Sequence, residues 1–249
     1  MKNLRLPFLL LLLHLSLVQP AASQEEPAGA AGGDAPVRDE LATRDQHYDR
    51  IEWFNERMFL FNSAFDRFVL KPVALTYGSV LPSPAQRGVR NAIDNLDVVR
   101  KVVNNTLQGK PLSASREIAR FVVNSTLGIA GIFDMATKLG LEPSDQDMGI
   151  TLGVYGFSHG AYLVLPLLPP TTIRDGLGMA ADAFMSPLQY FTPYYVPLSV
   201  RATDIVNNRA LDNNVYEELE RSIDPYSSAR NAYMQLRQRK LRTARESEY

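Results

Sequence analysis

Large apolar residues recur at helical spacing in the first strongly patterned part of the chain. Between positions 48 and 70 they return at steps of three and four, as Phe54, Met58, Phe61, Phe65 and Phe68. Polar residues occupy another face, so the pattern predicts an amphipathic helix. Its aromatic stripe leaves two interpretations open: a helix that faces a protein core, or one that contacts a membrane. We expect Lys71-Pro72 to end or sharply redirect this helix.

The same helical period continues along most of the chain, interrupted by Gly and Pro. Small polar residues and prolines precede several apolar runs, as is typical of helix N-termini. The predicted helix starts are Ser83-Pro84, Ser113 or Ser115, Thr172 and Asp224-Pro225. We expect the helix that starts at Ser83 to continue to Leu107. Because no strand-like alternation of useful length appears, the predicted fold class is all-α.

One stretch, from Met148 to Pro170, carries no Asp, Glu, Lys or Arg. It is interrupted by Gly149, Gly153, Gly156, Gly160, Pro166, Pro169 and Pro170. A membrane-spanning helix could be this apolar, but so many breakers would leave backbone groups unpaired in hydrocarbon. We therefore predict a short, kinked or looped segment whose backbone groups are satisfied by surrounding protein. A second charge-free segment, 183–200, clusters Tyr and Phe, which suits either a membrane–water boundary or a packed loop.

The two ends of the chain differ in composition from the helical region. A basic start, a leucine-rich run and Ala21-Ala22-Ser23 are typical of a secretory signal peptide over residues 1–23. Residues 24–46 are rich in Ala, Gly, Pro and acidic residues, which predicts a disordered tether. The predicted helical domain spans 47–224. Residues 225–249 carry many arginines, so we expect a basic C-terminal helix or tail that is solvated or binds a partner.

Composition argues against most reactive chemistry. The sequence has no cysteine and a formal net charge of −1. Thiol catalysis and thiolate metal sites are therefore excluded, and nucleic-acid binding is not expected because it needs a basic surface. His47 and His159 are the histidines that follow the predicted signal peptide, which is too few for a convincing transition-metal site. No metal and no cofactor are predicted.

One short motif has the form of a catalytic element. Residues Gly156-Phe157-Ser158-His159-Gly160 match G-x-S-x-G, the nucleophile elbow of α/β-hydrolases. The elbow requires a strand before the serine, a helix after it and a histidine later in the chain. Here the flanks are broken by Gly and Pro, and no histidine follows the motif. We therefore expect a handler of lipid or membrane that is not an enzyme.

Several separated blocks of the sequence form a pattern that extends over roughly residues 47–240. The blocks include Phe54-Asn55, Phe61-Asn62, Lys71 to Ala74, Asn104-Asn105, Leu107 to Lys110, Asn124 to Gly128, Gly131 to Asp134, Thr151 to Gly156, Tyr162 to Pro166 and Asp224-Pro225-Tyr226. In these blocks the sequence resembles the MlaA (VacJ) family of outer-membrane lipid-asymmetry proteins, and their order and spacing argue against coincidence. The charge-free stretch is the part most specific to the family.

The resemblance implies a ring-like bundle of amphipathic helices, lying in the inner leaflet of the Gram-negative outer membrane around a central channel. Mislocalised phospholipid would leave the outer leaflet through that channel and pass to a soluble periplasmic lipid carrier of the Mla system. The implied partners are phospholipid, a trimeric outer-membrane porin, the carrier and the membrane itself. A non-transporting scaffold that only positions porin and carrier is the alternative function.

The resemblance also suggests where the lipid path lies. Phe61 and Asn62, in the family's paired Phe-Asn motif, are expected to be structural determinants of the ring. Gly149, Gly153 and Gly156 are the expected gate residues. Family members are commonly lipoproteins with a lipidated N-terminal cysteine, and this sequence has no cysteine. We therefore expect an exported protein held at the periplasmic face of the outer membrane by amphipathic helices and a porin, or a periplasmic one.

Overall fold

The amphipathic pattern forms helices along most of residues 51–246, the part of the chain that the computed structural model describes. The helices are α1 Glu52–Phe65, α2 Lys71–Val80, α3 Ser83–Leu96, α4 Val98–Leu107, α5 Pro111–Thr126, α6 Met135–Lys138, α7 Met148–Val154, α8 Ile173–Phe184, α9 Leu188–Phe191, α10 Tyr195–Leu211, α11 Asn213–Glu220 and α12 Pro225–Glu246. Two short strands, β1 Tyr162–Leu163 and β2 Thr171–Thr172, pair antiparallel. The all-α prediction is confirmed. The predicted signal peptide and tether lie outside the described residues.

The first helix does not end at Lys71-Pro72, so the predicted helix end is wrong there. A π-helical turn, Asp66–Leu70, joins α1 directly to α2, and the backbone of Leu70 and Lys71 keeps helical angles. In a π-helix each N–H bonds the carbonyl five residues earlier, as Lys71 does with Asp66. Pro72, which has no backbone N–H to donate, lies directly after this π-helical turn. The chain therefore stays helical up to Val80.

Other predicted boundaries agree with the structure in part. The single helix predicted over residues 83–107 is two helices, because α3 and α4 meet at Asp97. Helix α5 begins at Pro111 and not at a serine. The predicted caps at Thr172 and Asp224 are confirmed, since each side-chain oxygen accepts a hydrogen bond from a backbone N–H in the first turn of its helix.

Packing contacts connect most of the helices to one another in a single network. Helix α10 packs against α2 and α3, α3 contacts α4, and α4 packs against α5 and α7. Helix α7 packs against α8 and α12, and α12 returns through α11 to α10. The ring-like arrangement that the resemblance implies stays a prediction. The central channel and the position in a membrane leaflet stay predictions.

The described region has few fully buried apolar side chains and many exposed ones. The buried apolar residues are Ala74, Ala114, Ala136, Ile150, Tyr162, Val164, Tyr226 and Ala244. Large side chains face outward instead, among them Trp53, Phe68, Leu112, Phe191 and Tyr194. Soluble monomers rarely expose contiguous apolar patches of large size. Within residues 51–246, no helix combines the length and apolar character that crossing a bilayer requires.

Helices α7 and α8 touch through their backbones at a pair of glycines. A Cβ atom on Gly178 would lie 2.3 Å from the backbone nitrogen of Gly149. A Cβ atom on Gly149 would lie 3.0 Å from Cα of Asp175, which also belongs to α8. No side chain fits between the two helices here. Glycine at both positions therefore sets how closely α7 and α8 approach.

This contact predicts different effects for two glycines of the same helix. Gly178→Ala should lower the free energy of unfolding by about 1–3 kcal/mol, because the added methyl group forces α7 away. Gly176→Ala is the matched control, since a Cβ there would meet only the Thr171 side chain at 3.7 Å. The control should be neutral or stabilising by up to about 1 kcal/mol. Denaturation in one detergent measures both, and equal effects would contradict the contact.

Candidate functional site

The charge-free stretch begins as the short helix α7, which is capped at both ends. The Asp147 carboxylate accepts a hydrogen bond from the N–H of Ile150 at 2.9 Å. At the other end Gly156 has a φ of 92°, and the N–H of Phe157 bonds the carbonyl of Leu152 at 3.0 Å. A left-handed glycine with this bond is typical of a Schellman cap. Gly156 therefore ends α7 and starts the loop that follows.

Asn55 of α1 supplies hydrogen bonds to the backbone of the loop beyond α7. Its Nδ2 donates to the carbonyl of Tyr162 at 2.9 Å, and its Oδ1 accepts from the N–H of Val164 at 2.9 Å. A neighbouring β-strand would make this pair of bonds, to the carbonyl of one residue and the N–H two residues later. The buried carboxamide of Asn55 replaces such a strand.

Asn62, two helical turns further along α1, repeats the arrangement. Its Nδ2 donates to the carbonyl of Leu165 and its Oδ1 accepts from the N–H of Leu167, at 2.9 and 2.8 Å. Leu167 has a φ of 61°, an uncommon value for a side chain of this size. The prediction that surrounding protein satisfies the backbone of this segment is confirmed at these positions. Phe61, the other member of the predicted pair, is exposed.

A buried ionic cluster holds the start of α7. The guanidinium of Arg237, on α12, bonds both carboxylate oxygens of Asp147 at 2.6 and 2.9 Å. It also bonds both carboxylate oxygens of Asp175 on α8, each at 2.9 Å. Asp175 further accepts from Arg174 at 2.9 Å and from the Tyr233 hydroxyl at 2.7 Å. One arginine therefore joins α7, α8 and α12.

The cluster shifts the pKa values of its members. Burial alone would raise the pKa of Asp147 and Asp175, but the hydrogen bonds and positive charge of Arg237 hold both below the ordinary value of 3.8. The same carboxylates raise the pKa of Arg237 against the effect of its own burial. Burial, together with the bond to Asp175, raises the pKa of the Tyr233 hydroxyl. All three charged groups therefore stay ionised at neutral pH.

Two of the three predicted gate glycines, Gly149 and Gly153, lie beside this cluster. A Cβ atom on Gly149 would meet Asp175 and Arg237 side-chain atoms, each at 2.6 Å. A Cβ atom on Gly153 would lie 2.8 Å from Nη1 of Arg174. At Gly156 nothing lies within 4 Å, so only its positive φ calls for glycine. The role of these glycines as a gate stays a prediction.

Helix α12 packs more closely than its composition suggested. We expected residues 225–249 to form a solvated or partner-binding helix with few apolar contacts. Instead Ala244 is buried, and Lys240 forms an ion pair with Asp145 at 2.5 Å. Arg245 donates to the carbonyl of Gly153 at 2.8 Å. Some of the charged residues that the sequence predicted to be solvated, such as Arg237 and Arg245, attach α12 to α7 instead.

The G-x-S-x-G motif does not adopt the geometry of a nucleophile elbow. Ser158 and His159 lie in the loop between α7 and β1, so a helix precedes the serine and a strand follows it. The elbow has the opposite order, strand then helix. Nδ1 of His159 lies 2.6 Å from the carbonyl oxygen of Gly160. The motif in this structure forms the turn after α7.

An open cavity of about 550 Å³ lies between α3 and α10. Its lining is apolar, with Ala85, Val89, Ala92 and Ile93 from α3, Val200 from α10, and Ile132 from the turn between α5 and α6. The sequence patterns did not predict this cavity. A signal was present, because Ala85, Gly88 and Ala92 place small residues along one face of α3.

These features define a class of helical protein with polar contacts inside and an apolar surface. Buried polar side chains join its helices, and large apolar side chains are exposed. Within residues 51–246, no helix qualifies as membrane-spanning. The model of the MlaA lipoprotein family matches residues 47–240. The chain belongs to this family, and the resemblance found in the sequence is confirmed.

Similar proteins agree with this assignment. The chain is 35% identical over 195 residues to the intermembrane phospholipid transport system lipoprotein MlaA of Escherichia coli, covering 75% of this chain and 76% of that one. An uncharacterized protein of Rickettsia bellii is 36% identical over 194 residues, covering 77% and 76%. A solved structure described as "Structural basis for maintenance of bacterial outer membrane lipid asymmetry" matches with a TM-score of 0.70 and 32% identity, covering 78% of this chain and 98% of that one.

The two asparagines of α1 should act on separate amides. Asn55→Ala should speed hydrogen exchange at Val164, and Asn62→Ala should do so at Leu167, by about tenfold or more, because a lost hydrogen bond costs about 1–3 kcal/mol. Ser63→Ala, an exposed position of the same helix, should change neither amide. Exchange followed by mass spectrometry or NMR measures each site. Uniform acceleration in all three variants would contradict the assignment.

The Arg237 cluster predicts a pH-dependent loss of stability. The pKa values of the Asp147 and Asp175 carboxyl groups are lowered in the folded state. The contribution of these groups to the free energy of unfolding is therefore complete above pH 3.8 and disappears as the pH falls below that value. Arg237→Gln should lower the free energy of unfolding by about 3–5 kcal/mol at pH 7, since the buried carboxylate of Asp175 and the partly buried one of Asp147 lose their partner. The difference in free energy of unfolding between this variant and the wild type should become smaller towards pH 3.

Denaturation midpoints between pH 3 and 7 measure this effect. Arg242→Gln is the control, because Arg242 is an exposed arginine of the same helix. It should change stability little at any pH. An equal loss in both variants, or a gap that does not vary with pH, would show that the cluster is not what holds α12.

Proposed function

We propose that the protein takes part in intermembrane phospholipid transport. In this proposal it removes mislocalised phospholipid from the outer leaflet of the outer membrane through an amphipathic channel and passes it to a periplasmic carrier. The observation that carries the proposal is the outward apolar surface of a chain that belongs to the MlaA lipoprotein family. Such a surface is unfavourable in water, and acyl chains would cover it.

The aromatic face of α1 supports attachment to the membrane surface. Trp53, Phe61 and Phe68 are all exposed on this helix or the π-helical turn after it. The proposed location is the inner leaflet of the outer membrane, with a trimeric porin as neighbour. Amphipathic helices of this kind bind the interface by burying their apolar side among lipid chains.

The proposed gate is the loop that follows Gly156. Gly149 and Gly153 hold α7 against α8 and α12, so α7 would be the fixed side of the gate. Beyond Gly156 the loop is attached to α1 by side-chain bonds from Asn55 and Asn62. A few hydrogen bonds can exchange with water or lipid head groups more readily than packed backbone can separate. Asn62 would thereby couple α1 to the gate, with the exposed Phe61 next to it on the aromatic face.

Two further parts of the proposal concern chemistry and docking. The protein is proposed to act without catalysis. The loop position of Ser158 supports this, because a helix precedes the serine and a strand follows it, the reverse of the order in a nucleophile elbow.

Exposed basic residues of α12, such as Arg242, are proposed to meet a partner on the periplasmic side. Charge reversal at Arg242 tests docking without disturbing the Arg237 cluster.

Membrane fractionation with lipid analysis tests the proposal. The tagged protein should be recovered in the outer-membrane fraction, and lipid extraction followed by mass spectrometry should find phospholipid bound to it. Ser158→Ala should keep full activity in cells, because no acyl transfer is involved. A soluble, lipid-free protein in the periplasm would contradict transport and favour the non-transporting scaffold, and loss of activity in Ser158→Ala would favour a hydrolase.

A further inference from the structure

We propose that the π-helical turn between α1 and α2 sets the direction in which the side chains of α1 point, and that Arg209 is the positioning residue that holds this turn. The turn thereby aims Asn55 and Asn62 at the loop beyond α7. The link to transport rests on the proposed function, because it takes that loop as the gate. The direction of α1 itself is a property of the fold and can be measured without lipid transport.

The buried faces of α1 and α2 do not match a continuous α-helix. Within these two helices the fully buried residues are Asn55 and Ala74, each 2% exposed. An α-helix rotates by about 100° per residue, so a continuous one would point Ala74 about 100° away from Asn55. With one residue fewer between them, the two positions would point the same way. The angle between Asn62 and Ala74 would likewise fall from about 120° to about 20°.

The π-helical turn Asp66–Leu70 takes up that additional residue. The α-helical pattern ends at Asp66, whose N–H bonds the carbonyl of Asn62 four residues earlier. The N–H of Lys71 then bonds the carbonyl of Asp66 five residues earlier. One turn of the helix therefore contains one residue more than an α-helical turn would. Because of this residue, the buried faces of α1 and α2 lie in line.

Arg209 on α10 binds the residue at which the hydrogen-bond pattern changes. Its Nε and Nη2 donate to the two carboxylate oxygens of Asp66 at 2.7 and 3.0 Å. Its Nη1 donates to Oδ1 of Asn213 at 2.8 Å, and its Cζ lies 4.3 Å from the centre of the Tyr216 ring. Arg209 is the largest fully buried side chain among the described residues. Two parallel bonds fix the orientation of a carboxylate as well as its distance, so Asp66 is held in one position.

Loss of the bonds from Arg209 should change the direction of α1. π-helical bonding is rare, so the turn would return to the common α-helical pattern. Helix α2 would stay against α10, because Ala74 is buried and the Tyr77 hydroxyl donates to Oδ1 of Asn207 at 2.9 Å. Helix α1 would therefore be the part that rotates, by about 100°. The two asparagines of α1 would then turn away from the loop beyond α7, and their hydrogen bonds to it would be lost.

The other end of the π-helical turn is held less firmly. Nζ of Lys71 pairs with Oε2 of Glu220 on α11 at 3.1 Å, and both side chains are partly exposed. Ion pairs in contact with water contribute little to stability. Lys71 therefore serves as the matched comparison for Arg209, since it forms an ion pair at the same turn that should not set the direction of α1.

A deletion and an insertion at Val69 test the role of the turn in the full chain, in one detergent. Val69 lies in the π-helical turn and is 46% exposed, so its deletion takes no side chain from the interior. The deletion should leave a continuous α-helix with both buried faces in line, and hydrogen exchange at Val164 and Leu167 should stay close to the wild-type rate. One alanine inserted after Val69 adds a residue that the turn does not absorb, so exchange at both amides should rise at least about tenfold.

Substitution of Arg209 tests the positioning role. Arg209→Met should speed exchange at Val164 and Leu167 at least about tenfold, because methionine cannot bind the Asp66 carboxylate. The same substitution combined with the Val69 deletion should leave both rates unchanged, since no π-helical turn remains to be held. Lys71→Met should change neither rate in either background.

A reference amide separates rotation of α1 from general unfolding. The N–H of Phe157 bonds the carbonyl of Leu152 at 3.0 Å, at the end of α7 and away from α1. Its exchange should be the same in all these variants. Circular dichroism melts measure the stability of each variant alongside.

The outcomes that would overturn the inference differ from those that would contradict the proposed function. Faster exchange in the deletion variant, unchanged exchange in the insertion variant, or an effect of Arg209→Met that the Val69 deletion does not remove would overturn the role of the turn. Each would leave the proposed function standing, because exchange does not depend on transport. Transport is measured separately as phosphatidylethanolamine at the cell surface, and a wild-type chain that fails to lower it would contradict the proposed function alone.

Discussion

The bonds of Arg237 to two carboxylates join parts of the chain that share few buried apolar residues. Asp147 caps α7, Asp175 lies in the first turn of α8, and both depend on one guanidinium from α12. Gly149 and Gly178 let the two capped helices touch. In most soluble domains burial of apolar side chains would perform this task. Here those side chains point outward, so polar contacts inside hold the helices together.

Much of the helical architecture follows from local pattern, whereas the contacts that join the helices do not. Amphipathic periods and the caps at Thr172 and Asp224 predict where helices lie because those signals act within a few residues. The π-helical turn before Pro72 was missed, since proline ordinarily ends or redirects a helix. The strand-like bonds of Asn55 and the pairing of Arg237 with Asp147 join residues far apart in sequence. No local pattern specifies such partners.

The candidate site was likewise predictable from the sequence only in part. The sequence identified the interrupted apolar stretch as unusual, and the structure explains it as a capped helix followed by a loop bonded to α1. Its glycines have different tasks: Gly149 allows close packing, whereas Gly156 allows a left-handed turn. The cavity beside Ile132 depends on the arrangement of α3, α10 and the turn between α5 and α6. Small residues on α3 hinted at a groove, but only the fold shows what closes it.

The proposed function is the removal of phospholipid from the outer leaflet of the outer membrane. The most direct measurement is the amount of phosphatidylethanolamine at the surface of cells, labelled with a membrane-impermeant amine reagent. Cells that lack the protein should expose several times more lipid than cells that make it, and restoring the wild-type chain should reverse the increase. Equal labelling with and without the protein, under conditions where it is present in the outer membrane, would contradict the claim.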